Sequence, residues 1–341
     1  MAIRLSILDQ TLINKGESPT EAFRHTIELA QKAEQWGYHR FWVSEHHDSD
    51  LVAGSSPEVL VSHLLARTER IRVGSGGVML QHYSPYKVAE NFNVLAALSP
   101  SRVDLGIGRA AGGLPHSTKA LQEGRTTDTA TLQEKIVELI RYTREQLPPD
   151  HALAGLKASP IPDRAAEIYL LGASHNSAEI AGSLGLPYVF AQFINNEDAE
   201  AIQAFDIYRS YFQTNDGKVP EAILAVPVIV ADTDEEAKRI ANDYRIVRIH
   251  LKSGRTITVG SVEHAEEYGR QAEEEYTIED KQAYVVHGSK SRVRAQLLEA
   301  QRKYGVEEFI VISTIRNATQ RLRSYELLIE AFAEVHDEVK K

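Results

Sequence analysis

The chain has no cysteine among its 341 residues. That absence excludes disulfides, thiolate catalysis and Cys-ligated zinc or iron–sulfur centres, and it suits a reducing cytoplasm. Long apolar runs are missing as well. Residues 1–20 carry Arg4, Asp9 and Lys15 without an apolar stretch of spanning length, so neither a signal peptide nor a transmembrane helix is expected. Positive charge is not in excess: 38 Lys and Arg against 48 Asp and Glu give a formal net charge of -10. A general nucleic-acid binder, which needs clustered cations to displace counterions from phosphates, is disfavoured. There is no Walker A sequence and no Gly-x-Ser-x-Gly elbow. With 43% hydrophobic residues, the chain can bury a full core as one large α/β domain or two ordinary ones.

Apolar runs of strand length alternate with amphipathic segments of helix length. The strand-like runs are 3–8, 40–43, 71–80, 103–108, 168–172, 188–192, 223–230 and 308–313. Helical spacing follows at 20–36, 57–67, 85–98, 126–146, 177–184, 198–212, 234–247 and 325–335. Eight βα units predict a (β/α)8 TIM barrel, read as a single domain over 1–341. Two stretches exceed a minimal barrel. Residues 110–125 are rich in Gly and small polar residues, and 248–282 carry charge and Tyr without a clear strand. Both read as insertions at the strand C-terminal face, where barrels place lids and specificity elements.

The chemistry is expected where strands end. Ser44-Glu45-His46-His47 closes the second strand, and Gly74-Ser75-Gly76-Gly77 interrupts the third. In extended backbone Glu45 and His47 share one face while His46 takes the other, so the three do not converge and no metal site is expected; His82 and His116 are scattered. An imidazole here either moves protons or simply hydrogen-bonds within the barrel mouth. Gly76 and Gly77 mark either a barrel corner needing freedom or a ledge on which an aromatic ring system rests. The fifth strand runs through Gly172, Ala173 and Ser174 into a helix start, with capping-box spacing at Asn176 and Glu179. First-turn amides and the hydroxyls of Ser174 and Ser177 make an anion site, to which Arg109 could add a charged fork. Ordinary capping and a surface ion pair are the alternative. Gly106-Ile107-Gly108-Arg109-Ala110-Ala111 imitates a dinucleotide fingerprint, but Gly112, Gly113 and Pro115 continue a loop where a helix should open.

Together, Leu8-Asp9-Gln10, Ser44-Glu45-His46-His47, the run Val73 to Leu80, Ser84-Pro85 with Ala89-Glu90, the run Asp104 to Arg109 and Leu171-Gly172-Ala173-Ser174 resemble the bacterial luciferase-like flavin monooxygenases. The likeness runs from the first strand through Gly185-Leu186-Pro187 and weakly to the last helix, leaving 248–282 poorly covered. It implies a barrel that binds FMN at the strand C-termini, receives it reduced from a separate flavin reductase, and forms a flavin hydroperoxide with dioxygen to oxygenate a small organic substrate. On this resemblance His46 is the active-site histidine, and Gly76 and Gly77 are the pair joined by a non-prolyl cis peptide beneath the ring. Arg109, Gly172, Ala173, Ser174 and Ser177 surround the phosphate end. Gly108 stands where luciferases proper carry a cysteine, which argues against light emission. The resemblance also suggests a homodimer through the second and third helices. A non-catalytic flavin-binding barrel and a deazaflavin (F420)-dependent dehydrogenase are the alternatives, and Tyr83, Leu114 and His116 are candidate pocket residues.

Overall fold

A computed structural model describes residues 3–109, 112–123, 130–214 and 217–333. The first half of the chain runs β1 (Arg4–Asp9), α1 (Pro19–Trp36), β2 (Arg40–Val43), α2 (Pro57–Arg67), β3 (Arg72–Met79), α3 (Pro85–Leu98), β4 (Val103–Gly108), α4 (Pro115–Leu121) and α5 (Leu132–Thr143). It continues through β5 (Glu167–Gly172), α6 (His175–Ser183), β6 (Tyr188–Ala191), α7 (Asp198–Tyr211), β7 (Ala222–Val230) and α8 (Asp234–Asn242). The last part holds β8 (Arg245–Leu251), β9 (Thr256–Val259), α9 (Val262–Ala272), β10 (Tyr276–Gln282), β11 (Val286–Gly288), α10 (Lys290–Tyr304), β12 (Glu308–Ile312) and α11 (Ala318–Ala333).

Local chemistry sets several boundaries. Helix α1 starts at a reciprocal box between Ser18 and Glu21 with Pro19 in its first turn, and it stops at Gly37, whose φ of 86° is the left-handed conformation that glycine adopts at least cost. Strands buried on both faces read as near-continuous apolar runs, the pattern of parallel sheet under helices. Strands β1 to β7 pair in parallel in chain order, β7 pairs β12, and β12 pairs β1, so the sheet closes into a barrel. The (β/α)8 architecture is the one expected. No helix among the described residues is long and apolar enough to cross a membrane.

The segment after β7 departs from expectation. Helical spacing over 234–247 ends at Asn242, and 245–251 is strand, because Ile246, Val247, Ile249 and Leu251 are buried in extended backbone. Residues 245–282 form a three-stranded antiparallel sheet in the order β10-β8-β9, with α9 packed on it. Its strands read as unstructured because one face is solvated and carries charge. The helix that packs against α7 and α11 in the barrel's outer ring is α10, unforeseen in the sequence. Only Val293, Leu297 and Tyr304 are buried along it, a stripe too thin to stand out among Lys, Arg and Gln. Within 110–125, the described residues include the short helix α4; 110–111 and 124–129, part of the expected insertion and the expected start of helix 126–146, lie outside the described residues.

Inside the barrel, side chains fill two levels. The upper level is apolar: Leu8, Trp42, Tyr169, Leu171, Val189, Ile223, Ala225, Ile310 and Ile312 pack together. Below them lies an ionic plug. Arg40 is buried and donates to both oxygens of Glu308, at 2.7 and 3.0 Å, and to Asp104 at 3.0 Å. Ser6 donates to Glu308 at 2.6 Å, Trp42 Nε1 donates to Asp104 at 2.9 Å, and Arg72 Nε reaches the other Asp104 oxygen at 3.0 Å. Each buried charge is thus paired and hydrogen-bonded, the condition under which its desolvation is tolerated. Arg40→Ala, which leaves Glu308 without its bidentate partner, should lower unfolding stability by about 3–5 kcal/mol, read as a shift in urea midpoint without change of slope.

Candidate functional site

Glu45, two residues beyond β2, is fully buried and organises the mouth. One carboxylate oxygen accepts the Met79 N–H at 2.9 Å, and the other accepts from Tyr83 Oη and lies 2.7 Å from His47 Nε2. The carboxylate ties the exit of β2 to the exit of β3. His47 thereby faces Glu45, as alternation predicts, and His46 is left to the other side. The His46 N–H donates to Gly54 O at 2.7 Å. Burial, then the charge of His47, pushes the His46 pKa down to about 4; Glu45 opposes the shift and His264 adds to it. His46 is therefore a neutral imidazole at neutral pH.

Beside it, β3 is stripped of side chains. The Gly76–Gly77 peptide is cis, and the pairing of β3 with β4 shifts register there. A Cβ on Gly76 would fall 2.7 Å from Leu8 Cδ1 and 3.0 Å from Trp42 Cε3; one on Gly77 would fall 2.7 Å from Gly106 O. The two glycines are thus demanded from below and from the side by close packing, a reason beyond both readings offered by the sequence. Gly106 answers Gly77 across the strand pair, since its own Cβ would collide with Ser75 O.

Arg109 follows β4 and is exposed. Strands β4 and β5 are paired as far as Ile107 and Leu170, so the chain leaves β4 at Arg109 next to where β5 ends at Gly172. Gly172 has no room for a side chain because Ser177 occupies that space. The Ala173 carbonyl accepts from Asn195 Nδ2 at 3.2 Å. Ser174, rather than Asn176, is the N-cap of α6: the capping box pairs Ser174 with Ser177, and Glu179 lies beyond the first turn. Ser177 Oγ donates to Ser174 O at 2.7 Å and sits 3.0 Å from Tyr188 Oη. The sequence placed the box two residues late because Asn and Glu match its residue types better than a second serine does.

His46, Arg109 and the Gly172–Ser174 turn therefore lie at the exits of β2, β4 and β5, and the Gly76–Gly77 pair lies two residues inside the end of β3, between β2 and β4 at the same rim. The insertion spans that rim from above. Leu114 of the β4 loop packs with Val247, Ile249, Leu251, Ala265 and Tyr268; the His116 N–H donates to Gln271 Oε1 at 3.0 Å; Arg248 donates to Ile194 O beyond β6 at 3.1 Å. Gly260 lies against Leu51 in the loop after β2. His264, at the start of α9, brings a second imidazole into the field of His46, and nothing in its local sequence distinguishes it. Tyr83 serves Glu45, and Leu114 belongs to the insertion core. Buried His82 is 3.2 Å from Gln122 Nε2. Among the described residues, no three His, Cys, Asp or Glu side chains are grouped to hold a metal ion. A separate cavity of about 430 Å³, lined by Arg4, Tyr38, His39, Arg70 and Phe332, opens among the N-terminal ends of β1 to β3, away from this rim.

The pattern of the Luciferase-like monooxygenase family matches residues 3–323. The chain belongs to that family, and it is an enzyme of the oxidoreductase class. It is 44% identical over 332 residues to the N-acetyl-S-alkylcysteine monooxygenase of Bacillus subtilis (strain 168), covering 96% of this chain and 98% of the relative. The solved structure of apo-MsnO8 superposes with a TM-score of 0.79 at 38% identity over 97% of this chain and 98% of the other. The oxygenating constituent of 3,6-diketocamphane monooxygenase from Pseudomonas putida, solved with FMN, shares the fold with a TM-score of 0.71 at 17% identity over 97% of each chain.

The depressed His46 pKa has a sign. A histidine held neutral by the fold, against an ordinary value of 6.5, costs stability progressively as pH falls from 6.5 toward about 4, because the unfolded chain binds the proton first. His46→Gln should flatten that part of the stability profile relative to wild type while leaving the profile above pH 7 unchanged, as read from urea midpoints across pH.

Proposed function

We propose that this protein is an FMN-dependent monooxygenase that uses reduced FMN, delivered by a separate flavin reductase, and dioxygen to oxygenate a small organic substrate. The carrying observation is the bare backbone at Gly76 and Gly77, packed so tightly from beneath and beside that no side chain fits there. Such a surface fits a flat ring. Gly76 and Gly77 would support the ring, and Arg109, Gly172, Ala173, Ser174 and Ser177 would hold the phosphate end. Arg109 supplies a guanidinium, and first-turn amides of α6 lack intrahelical acceptors. When bound, the reduced flavin supplies the electrons that activate dioxygen.

The chain's own work is to position, shield and move protons. His46, neutral at working pH, accepts a proton without first having to lose one. The insertion, fastened to the loops after β2, β4 and β6, keeps bulk water from the rim. The 44% identical relative is named for S-alkylated N-acetylcysteines, and that compound class is the first substrate to try. Exposed Val59 on α2 and Val94 and Leu98 on α3 support a homodimer through those helices, the latter two one turn apart on a single face. A cytoplasmic setting suits the cysteine-free chain.

Purified protein should bind FMN saturably and in preference to the deazaflavin. Given a flavin reductase and ¹⁸O₂, it should place labelled oxygen in an N-acetyl-S-alkylcysteine or another small acceptor. Flavin consumption without labelled product would favour a non-catalytic flavin binder, and exclusive deazaflavin binding would favour the dehydrogenase. His46→Ala should lower turnover by about 10²- to 10⁴-fold with little change in FMN affinity. Leu98→Asp should move the protein from dimer to monomer in sedimentation without changing its circular dichroism.

A further inference from the structure

Ser44 is 6% exposed, and among the described residues its Oγ has no hydrogen-bond partner. Neighbouring polar groups are satisfied: Glu45 uses both oxygens, and Ser75 Oγ donates to Gly106 O at 2.9 Å. A buried hydroxyl without a partner is costly, and such a group is retained where a ligand completes it. Its direction follows from the strand. The Ser44 N–H donates to Asp9 O at 3.1 Å, extending the pairing of β2 with β1 by one residue. Trp42 faces the barrel interior, where its indole meets Asp104, so Ser44, two residues on, faces inward above it. The register of β2 with β3 runs from Arg40 and Arg72 to Val43 and Ser75, which sets Ser44 opposite Gly76. The unpartnered hydroxyl stands beside the bare backbone.

We propose that Ser44 Oγ donates a hydrogen bond to the polar edge of the flavin ring and so sets which way round the ring lies on the Gly76–Gly77 backbone. This rests on reading the rim as a flavin site. A flavin ring is apolar at its dimethylbenzene end and carries carbonyl and ring-nitrogen acceptors at the other, so one buried donor on the inner wall discriminates between the ends. Glycine beside that donor lets the ring come close enough to use it.

The test compares wild type and Ser44→Ala without flavin and in FMN titrations. Because the substitution removes a hydroxyl that has no partner among the described residues, the flavin-free Tm should be unchanged or higher. FMN affinity should fall about fivefold to tenfold, with a shift in the visible absorption of the bound flavin. Equal affinity and an unchanged spectrum would overturn the assignment. So would a lower flavin-free Tm, which would show that the hydroxyl is satisfied within the fold. Folded wild-type protein that binds neither FMN nor the deazaflavin would overturn the flavin reading and this assignment together, and the wild-type titration separates that outcome from failure at Ser44 alone.

Discussion

Arg40 stands between two buried carboxylates at the base of the barrel, and the packing of Trp42 above it depends on that grip. Asp104 accepts from Arg40 and from the indole of Trp42 through one oxygen, so the ion pair also sets the tilt of the tryptophan. Trp42 packs edge-on against Tyr169, with ring centroids 5.1 Å apart, and its six-membered ring lies directly beneath Gly76. Charge at the bottom thus becomes shape at the top. A side chain on Gly76 would press on Trp42, and Trp42 cannot yield without releasing Asp104. The level of the backbone at Gly76 and Gly77 is fixed by a chain of contacts that begins in the plug.

The rim divides its tasks between two parts of the chain. The barrel supplies precision: Glu45 joins the exits of β2 and β3 through its two oxygens, and Ser177 fills the space that Gly172 leaves, so the turn into α6 is packed before anything binds. Elements on strand ends are held by the sheet itself, which is why the residues that need accurate placement are found there. The insertion supplies enclosure. It meets the loop after β2 through an apolar contact, the loop after β6 through a hydrogen bond and the loop after β4 through both kinds, a weaker attachment than strand pairing and one compatible with substrate entry and product release.

Strands that are buried on both faces were readable from the sequence, because a continuous apolar run as short as Ala222–Val230 suits little besides a parallel strand covered by helices. The motif residues were readable for a different reason: glycine in the middle of β3 and acid with imidazole at the end of β2 violate the local pattern, and violations mark sites. Elements whose burial is slight were not readable. Helix α10 rests on three buried residues, and β8 to β10 expose alternate side chains, so neither carries the density of apolar residues from which periodicity is recognised. Ser44 was visible as part of its motif, yet its unsatisfied hydroxyl was not, since satisfaction depends on neighbours brought in from β1 and β3. His264 was out of reach for the same reason: its nearness to His46 is a product of the folded insertion and leaves no mark in its own segment.

The plug also orders the assembly of the molecule in time. Ser6 and Glu308, which share a hydrogen bond, are 302 residues apart, and β12 must lie between β1 and β7 before the cylinder is complete. A nascent chain leaving the ribosome has made nearly all of its helices before Glu308 appears. Until then Arg40 has Asp104 but lacks its bidentate partner, and the half-built sheet presents two open edges. The glycines at 76 and 77 are therefore made long before the strand that completes the cylinder around them. A truncated product that lacks β12 has its rim motifs in sequence but not in place, as an open sheet in which Arg40 lacks Glu308.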